Sequence, residues 1–152
     1  MDSILLTASS GGHLEEISNL DLLGENYKAI LLTEKTDFQV SSWYDQVYYV
    51  PQVNRKEWKC IPKLISNVFT ALHVLRRHNP VAVISTGALA TVPVCLLAKL
   101  KKIKVIYIES FARMDSPSKT GKLMHKIADK TIVQWEAVQK FYPGAIYGGS
   151  IF

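Results

Sequence analysis

Three short stretches of this chain hold side chains of the types and spacing that chemistry needs. Ser9-Ser10-Gly11-Gly12-His13 follows the apolar run Ile4-Leu5-Leu6 and opens directly into the helix-like segment Leu14-Glu15-Glu16-Ile17. A strand that feeds a small-residue turn at a helix start exposes several backbone N–H groups together, and those donors and the helix dipole favour a phosphate or other anion. Ser85-Thr86-Gly87-Ala88 leaves the apolar strand Val81-Ala82-Val83-Ile84 and enters a helix in the same manner. Two such turns at neighbouring strand ends would grip two linked phosphates, or one phosphate and a sugar. In the third stretch Glu109 ends an apolar strand, where it is suited to accept hydrogen bonds from sugar hydroxyls or to act as a base. Arg113, Lys119 and Lys122 follow it and are suited to hold phosphate.

Each stretch also has a purely structural alternative. The first turn would be a tight β-to-α connection with His13 a helix-start residue of no chemical role, and its glycines make neither a GxGxxG fingerprint nor a GxxxxGK[ST] loop. In the third, Glu109 would pair with Arg113 and Ser118 would cap the following helix.

These turns need a scaffold, and apolar periodicity supplies one. Strand character marks Ser3–Thr7, Lys28–Leu32, Gln46–Val50, Val81–Ser85, Lys104–Glu109 and Thr131–Trp135. Helices are expected over Leu14–Leu23, Ile61–His78, Leu89–Leu100 and Lys119–Asp129, with Pro62 in the first turn of the longest and Asn79-Pro80 after it. That alternation implies an α/β fold: a Rossmann-like parallel sheet with helices on both faces and ligands gathered at the C-terminal strand ends. The 152 residues suit a single domain over 1–152.

Composition narrows the partners. Eighteen basic against 13 acidic side chains give a formal charge of +5, which suits an anionic partner. No nucleic-acid partner is expected, because the chain has no RNP-type aromatic motif, no helix-turn-helix pattern and no zinc spacing. Cys60 and Cys95 suggest neither a disulfide framework nor a metal cluster, and a reducing cytoplasm fits. The N-terminus has no signal-peptide character and no apolar run reaches a membrane span, so any membrane contact is expected to be peripheral.

The ordered set of motifs resembles a known family. Ser9-Ser10-Gly11-Gly12-His13-Leu14, Ser85-Thr86-Gly87-Ala88 with Val92-Pro93, Tyr107-Ile108-Glu109-Ser110-Phe111-Ala112-Arg113, Ser118-Lys119-Thr120-Gly121-Lys122-Leu123, Ala128-Asp129 and Val133-Gln134-Trp135-Glu136 carry the resemblance, which spans essentially the whole chain. Together they are similar to the accessory, membrane-associating subunit of two-component UDP-sugar glycosyltransferases. That family includes bacterial members in capsule and exopolysaccharide synthesis and the eukaryotic anchor subunit of the dolichol-linked UDP-N-acetylglucosamine transferase. A more distant likeness is to the N-terminal acceptor domain of the peptidoglycan N-acetylglucosaminyltransferase, a single-chain GT-B enzyme.

The resemblance implies the acceptor half of a GT-B enzyme, with the donor-binding C-terminal half on another polypeptide. Ser9, Ser10, Gly11, Gly12 and His13 would line an acceptor-diphosphate site opposite Thr86, Gly87 and Ala88, and Arg113 and Lys119 would bind substrate. Glu109 would sit near the acceptor sugar, and His13 would either assist deprotonation of the attacking hydroxyl or position it. Neither a metal nor a cofactor is implied. The expected partners are a catalytic, UDP-sugar-binding subunit, a polyprenyl-diphosphate-linked sugar and the cytoplasmic face of a membrane. The chain alone would be inactive or weakly active, and the alternative is a pure membrane scaffold with no active-site residues. Two departures from the single-chain pattern, Ser9-Ser10 and Leu89-Ala90-Thr91 in place of glycines, restrict close backbone approach.

Two surfaces complete the expectations. Arg55, Lys56, Trp58, Lys59 and Lys63 mix cations with a tryptophan at a helix start, as an anionic bilayer surface requires. Ile61, Ile65, Val68, Leu72 and Leu75 behind them are expected to be an ordinary core stripe. The aromatic residues of Trp135–Phe152 serve either as anchors for the donor-side subunit or as part of this domain's own core.

Overall fold

The computed structural model describes every residue except Phe38 and Arg55. Its sheet contains β1 (Ser3–Ala8), β2 (Lys28–Glu34), β3 (Gln46–Val50), β4 (Ala82–Gly87), β5 (Lys104–Ile108), β6 (Lys130–Val133) and β7 (Ile146–Tyr147). They pair in parallel in the order β3-β2-β1-β4-β5-β6-β7. The helices are α1 (Gly12–Ser18), α2 (Cys60–His78), α3 (Val92–Leu100), α4 (Lys119–Ile127) and α5 (Glu136–Gln139). The chain builds outward from β1 to β3, then returns through α2 to lay β4 on the other side of β1. That reversal splays the loops after β1 and β4 apart and opens a crevice at their C-terminal ends.

Strand periodicity decides which face each helix covers. Leu5, Ile30, Leu32, Val83, Val105 and Tyr107 point to one face and pack against α2, α3 and α4 through Ala71, Val74, Leu75, Val94, Cys95, Ala98, Met124 and Ile127. Ile4, Leu6, Ala8, Leu31, Ile84 and Ile108 point to the other, under Leu14 and Ile17 of α1 and Tyr44. With both faces covered, the central strands are continuously apolar rather than alternating.

The expected elements are present with shifted ends. The first helix stops at Ser18 rather than Leu23, and Asp21–Glu25 turns as a short 3-10 helix. Two hydrogen bonds account for the stop: Ser18 Oγ donates to the Leu14 carbonyl at 2.7 Å, and the Trp43 indole donates to the Ser18 carbonyl at 3.0 Å. Leu89–Thr91 likewise precedes α3 as a 3-10 turn. Two further elements, α5 and β7, are too short for periodicity to register in the sequence.

The core stripe expected on α2 needs a correction. Leu75 is buried, but Ile61 is 69% and Ile65 53% exposed, and the helix turns Asn67, Ala71, Val74 and Leu75 inward instead. Asn67 is buried and neither amide atom has a hydrogen-bond partner among the described residues, so a polar side chain occupies a core position while large aliphatic ones face outward. Trp58, Ile61, Ile65 and Phe69 form the resulting exposed stripe, with Lys59 Nζ 5.3 Å from the Trp58 ring centre. Lys56 is exposed beside it, whereas Lys63 is held 2.7 Å from Glu57. Arg55, expected among these cations, lies outside the described residues. Among the described residues no helix is long and apolar enough to cross a membrane.

Candidate functional site

Glu109 follows β5 directly, and its carboxylate is 1% exposed. Oε1 accepts from the Tyr107 hydroxyl at 2.8 Å, the Ser110 N–H at 3.0 Å and Ser118 Oγ at 3.0 Å; Oε2 accepts from the Ser118 N–H at 3.1 Å and from the Tyr142 hydroxyl. Burial first, and then the adjacent Glu109, pushes both phenols well above their usual range, which keeps them donors. The carboxylate therefore binds both ends of the loop 110–118. Arg113 is not among its partners, and Glu109 is closed to solvent. Ser118 does cap α4 as anticipated, accepting from the Gly121 N–H at 2.7 Å.

Gly121 is what allows this closure. A Cβ there would overlap Glu109 Oε2 and the Tyr142 hydroxyl and stand 2.7 Å from Ser118 Oγ.

Two more buried glutamates, for which the sequence suggests no role, do similar work. Glu16 on α1 accepts from Ser110 Oγ at 2.8 Å, the Phe111 N–H at 3.2 Å and Gln134 Nε2 at 3.0 Å. Glu34, at the end of β2, accepts from the Val53 N–H at 2.9 Å and from Ser10 at 3.3 Å to its N–H and 3.4 Å to its hydroxyl. No spacing rule in one sequence marks such residues, because each partner lies on a different element. All three carboxylates stand at the C-terminal edge of the sheet and fix loops there.

A cavity of about 500 Å³ opens at that edge, lined by His13, Ala88, Tyr107, Ser110, Arg113 and Lys119 among others. Arg113 and Lys119 are exposed at its rim, and neither forms an ion pair among the described residues. Buried His13 Nδ1 has no hydrogen-bond partner among the described residues. Two unneutralised cations, hydroxyls and an imidazole around one hollow suit an anionic, hydroxyl-rich ligand.

The turns predicted from sequence divide their duties. Thr86 and Gly87 are buried behind the cavity wall; the Thr86 hydroxyl holds the His13 carbonyl at 2.8 Å, and a Cβ at Gly87 would lie 3.6 Å from His13 Cε1. Ala88 sits at φ +76°, ψ +155°, a region that only glycine occupies readily. Ser85, Thr91 and the Ala88 carbonyl lock that turn through hydrogen bonds of 3.1 and 2.9 Å. Ser9 is turned inward. Ser10 faces a neighbouring hollow with Lys35 and Gln52, and Gly11 and Gly12 face a third with Glu15 and Ser41. Of the first turn, then, only His13 shares the cavity with Ala88, Arg113 and Lys119.

The large apolar residues of the C-terminal stretch split in the same way. Tyr142 is buried against Glu109 and Trp135 donates to the Phe111 carbonyl at 2.7 Å, while Phe141, Ile146, Tyr147 and Phe152 are 41–59% exposed.

The family profile described as "Oligosaccharide biosynthesis protein Alg14 like" matches residues 25–151. The chain belongs to the Alg14 family. Within it, human "UDP-N-acetylglucosamine transferase subunit ALG14" is 30% identical over 180 residues, covering 98% of this chain and 82% of that protein. Outside it, the Prochlorococcus marinus UDP-N-acetylglucosamine–N-acetylmuramyl-(pentapeptide) pyrophosphoryl-undecaprenol N-acetylglucosamine transferase is 30% identical over 154 residues, covering 95% of this chain but 42% of the enzyme. The crystal structure of Acinetobacter baumannii MurG superposes with a TM-score of 0.69 at 16% identity, over 90% of this chain and 43% of MurG. The Alg14-family chain therefore has the GT-B-type Rossmann-like fold and spans less than half of these two larger proteins.

Proposed function

We propose that this chain is the acceptor-side subunit of a divided N-acetylglucosaminyltransferase. It holds a polyprenyl-diphosphate-linked sugar at a membrane surface, and a separate catalytic subunit brings the UDP-sugar. The observation that carries this reading is the cavity beside His13, whose two rim cations, Arg113 and Lys119, lack ion-pair partners among the described residues. Family membership and the pyrophosphoryl-undecaprenol named for the Prochlorococcus relative support the ligand class.

In this reading Arg113 and Lys119 take the diphosphate, and the acceptor sugar lies toward His13 and Ala88. The acceptor hydroxyl attacks the anomeric carbon of the donor, the bond to UDP breaks, and His13 positions that hydroxyl or takes its proton. Glu109 is not the base; its oxygens are taken by Tyr107, Ser110, Ser118 and Tyr142, so it acts as a positioning residue for the loop that carries Arg113. Trp58, Ile61, Ile65 and Phe69 lie in the bilayer interface with Lys56 and Lys59 at the headgroups, on the cytoplasmic face. Phe141, Ile146, Tyr147 and Phe152 meet the donor-side subunit. Oligosaccharide assembly is the setting the relatives support; capsule or exopolysaccharide synthesis is the alternative destination of the product.

The test is transfer from radiolabelled UDP-N-acetylglucosamine to a polyprenyl-diphosphate sugar by this chain alone, by the catalytic subunit alone and by both. Transfer is expected only from the pair, with Arg113→Ala and Lys119→Ala each raising the acceptor KM roughly tenfold, the share of one charge-assisted hydrogen bond. Full activity from this chain alone refutes the division. Unchanged kinetics for these variants and for His13→Ala, with the complex intact, would establish the scaffold alternative instead.

A further inference from the structure

We propose that Gln134 is a positioning residue that ties the segment at Ile151 to the loop lining the cavity, so that whatever seats this segment also sets Ser110 and Arg113. The side chain follows β6, is 4% exposed, and uses every hydrogen-bonding atom it has. Nε2 donates to Glu16 Oε2 and to the Glu109 carbonyl, each at 3.0 Å, and Oε1 accepts the Ile151 N–H at 2.9 Å. Turning the amide over would set its oxygen against a carboxylate and a carbonyl and its NH2 against an N–H, so a single orientation is possible.

From Glu16 the connection continues without a gap. Oε1 takes the Ser110 hydroxyl at 2.8 Å and Oε2 the Phe111 N–H at 3.2 Å. A parallel line reaches the same residue, since the Trp135 indole donates to the Phe111 carbonyl at 2.7 Å and the Phe111 ring lies 5.0 Å from Trp135 and 5.2 Å from Phe152. Phe111 is thus held at its N–H, its carbonyl and its ring by groups contiguous with Ile151 and Phe152. Two residues on, Arg113 donates its N–H to the Ser110 carbonyl at 2.9 Å, so a displacement of Ser110 carries the arginine with it.

Two apolar side chains would fill the volume of Glu16 and Gln134 without burying a carboxylate. What the polar pair adds is a fixed direction for each partner. Because this inference rests on the reading that a donor-side subunit seats on the exposed residues near Ile151, it gives that subunit a route to the acceptor pocket through two side chains.

The test uses the 15N-labelled chain alone, with neither lipid nor partner, so the coupling stands or falls apart from the transferase reading. That reading is tested separately by the transfer assay. Ile151→Pro deletes the N–H bound by Gln134, and Ile151→Ala removes the same side chain while keeping that N–H. Ile151→Pro is expected to shift the Ser110, Phe111 and Arg113 amide resonances and the Trp135 indole signal. It should also speed hydrogen exchange at Phe111 roughly three- to tenfold, the factor carried by one net hydrogen bond. Ile151→Ala is expected to leave those signals close to the parent, and the central-strand amides of Leu31 and Val83 should not move in either variant. Equal effects of the proline and alanine variants at Phe111 would overturn the coupling. So would Gln134→Met folding with its Ser110 and Phe111 amides unmoved.

Discussion

Replacing Gly121 by alanine sets two effects of known size against each other. Gly121 lies in the first turns of α4, where alanine is the better helix former by about 1 kcal/mol. In an unconstrained helix the substitution would therefore stabilise. Here the new methyl group overlaps Glu109 Oε2 and the Tyr142 hydroxyl and comes within 2.7 Å of Ser118 Oγ. These are the ends of side chains, but none is free to swing, since each is bound to the others inside a site where Glu109 is 1% exposed. Relief requires giving up the Tyr142 and Ser118 side-chain bonds to the carboxylate, at about 1.5–3 kcal/mol each for a charged acceptor. Subtracting the helix gain leaves a net loss of about 2–5 kcal/mol, which for a chain of this length lowers Tm by roughly 4–20 °C. Thermal unfolding followed by circular dichroism measures it, and an unchanged or raised Tm for Gly121→Ala would refute the description of the Glu109 site. A double-mutant cycle with Tyr142→Phe sharpens the test, because removing the overlapped hydroxyl should make the pair of changes cost less than their sum.

Ala88→Gly should act in the opposite sense. Relief of the strained backbone at φ +76° is worth about 1–3 kcal/mol, and the extra freedom of glycine in the unfolded chain takes back about 0.5–1 kcal/mol. A gain of up to about 2.5 kcal/mol in urea unfolding is expected, and a loss would show that the turn is relaxed as it stands. On the surface, Ile65→Glu with Phe69→Glu should weaken flotation with mixed phosphatidylcholine and phosphatidylglycerol vesicles roughly thirtyfold or more. That factor follows from burying two large apolar side chains at about 1–2 kcal/mol each in the interface. Undiminished flotation would move the membrane contact elsewhere on the molecule.

Much of this arrangement is legible in one sequence, for a local reason. Strand and helix periodicity, Pro62 and the pair Asn79-Pro80 act within a few residues of where they stand, and they suffice to place the central strands and the longest helix. The small-residue turns after β1 and β4 are legible in the same way, and the ordered motifs place the chain in its family. Ile61 and Ile65 mark the limit of local patterning. Helical spacing says that two aliphatic residues share a face, but which face meets the sheet depends on the whole helix, and here Asn67, Ala71 and Val74 take it. The role of Glu109 escaped for a related reason: a carboxylate at a strand end looks alike whether it faces a ligand or a ring of donors. Its donors come from Tyr107, Ser110, Ser118 and Tyr142, up to 33 positions away.

By itself, then, the sequence determined the kind of sheet, the places where its loops converge, the excess of positive charge and the family, since each depends on neighbouring residues or on an ordered set of motifs. Only the tertiary structure decided which of the candidate residues share a cavity, that Glu16, Glu34 and Glu109 hold loops, and that α2 turns its aliphatic side outward. Those outcomes depend on contacts between distant elements, where a buried carboxylate is stable only if the fold brings enough donors to it.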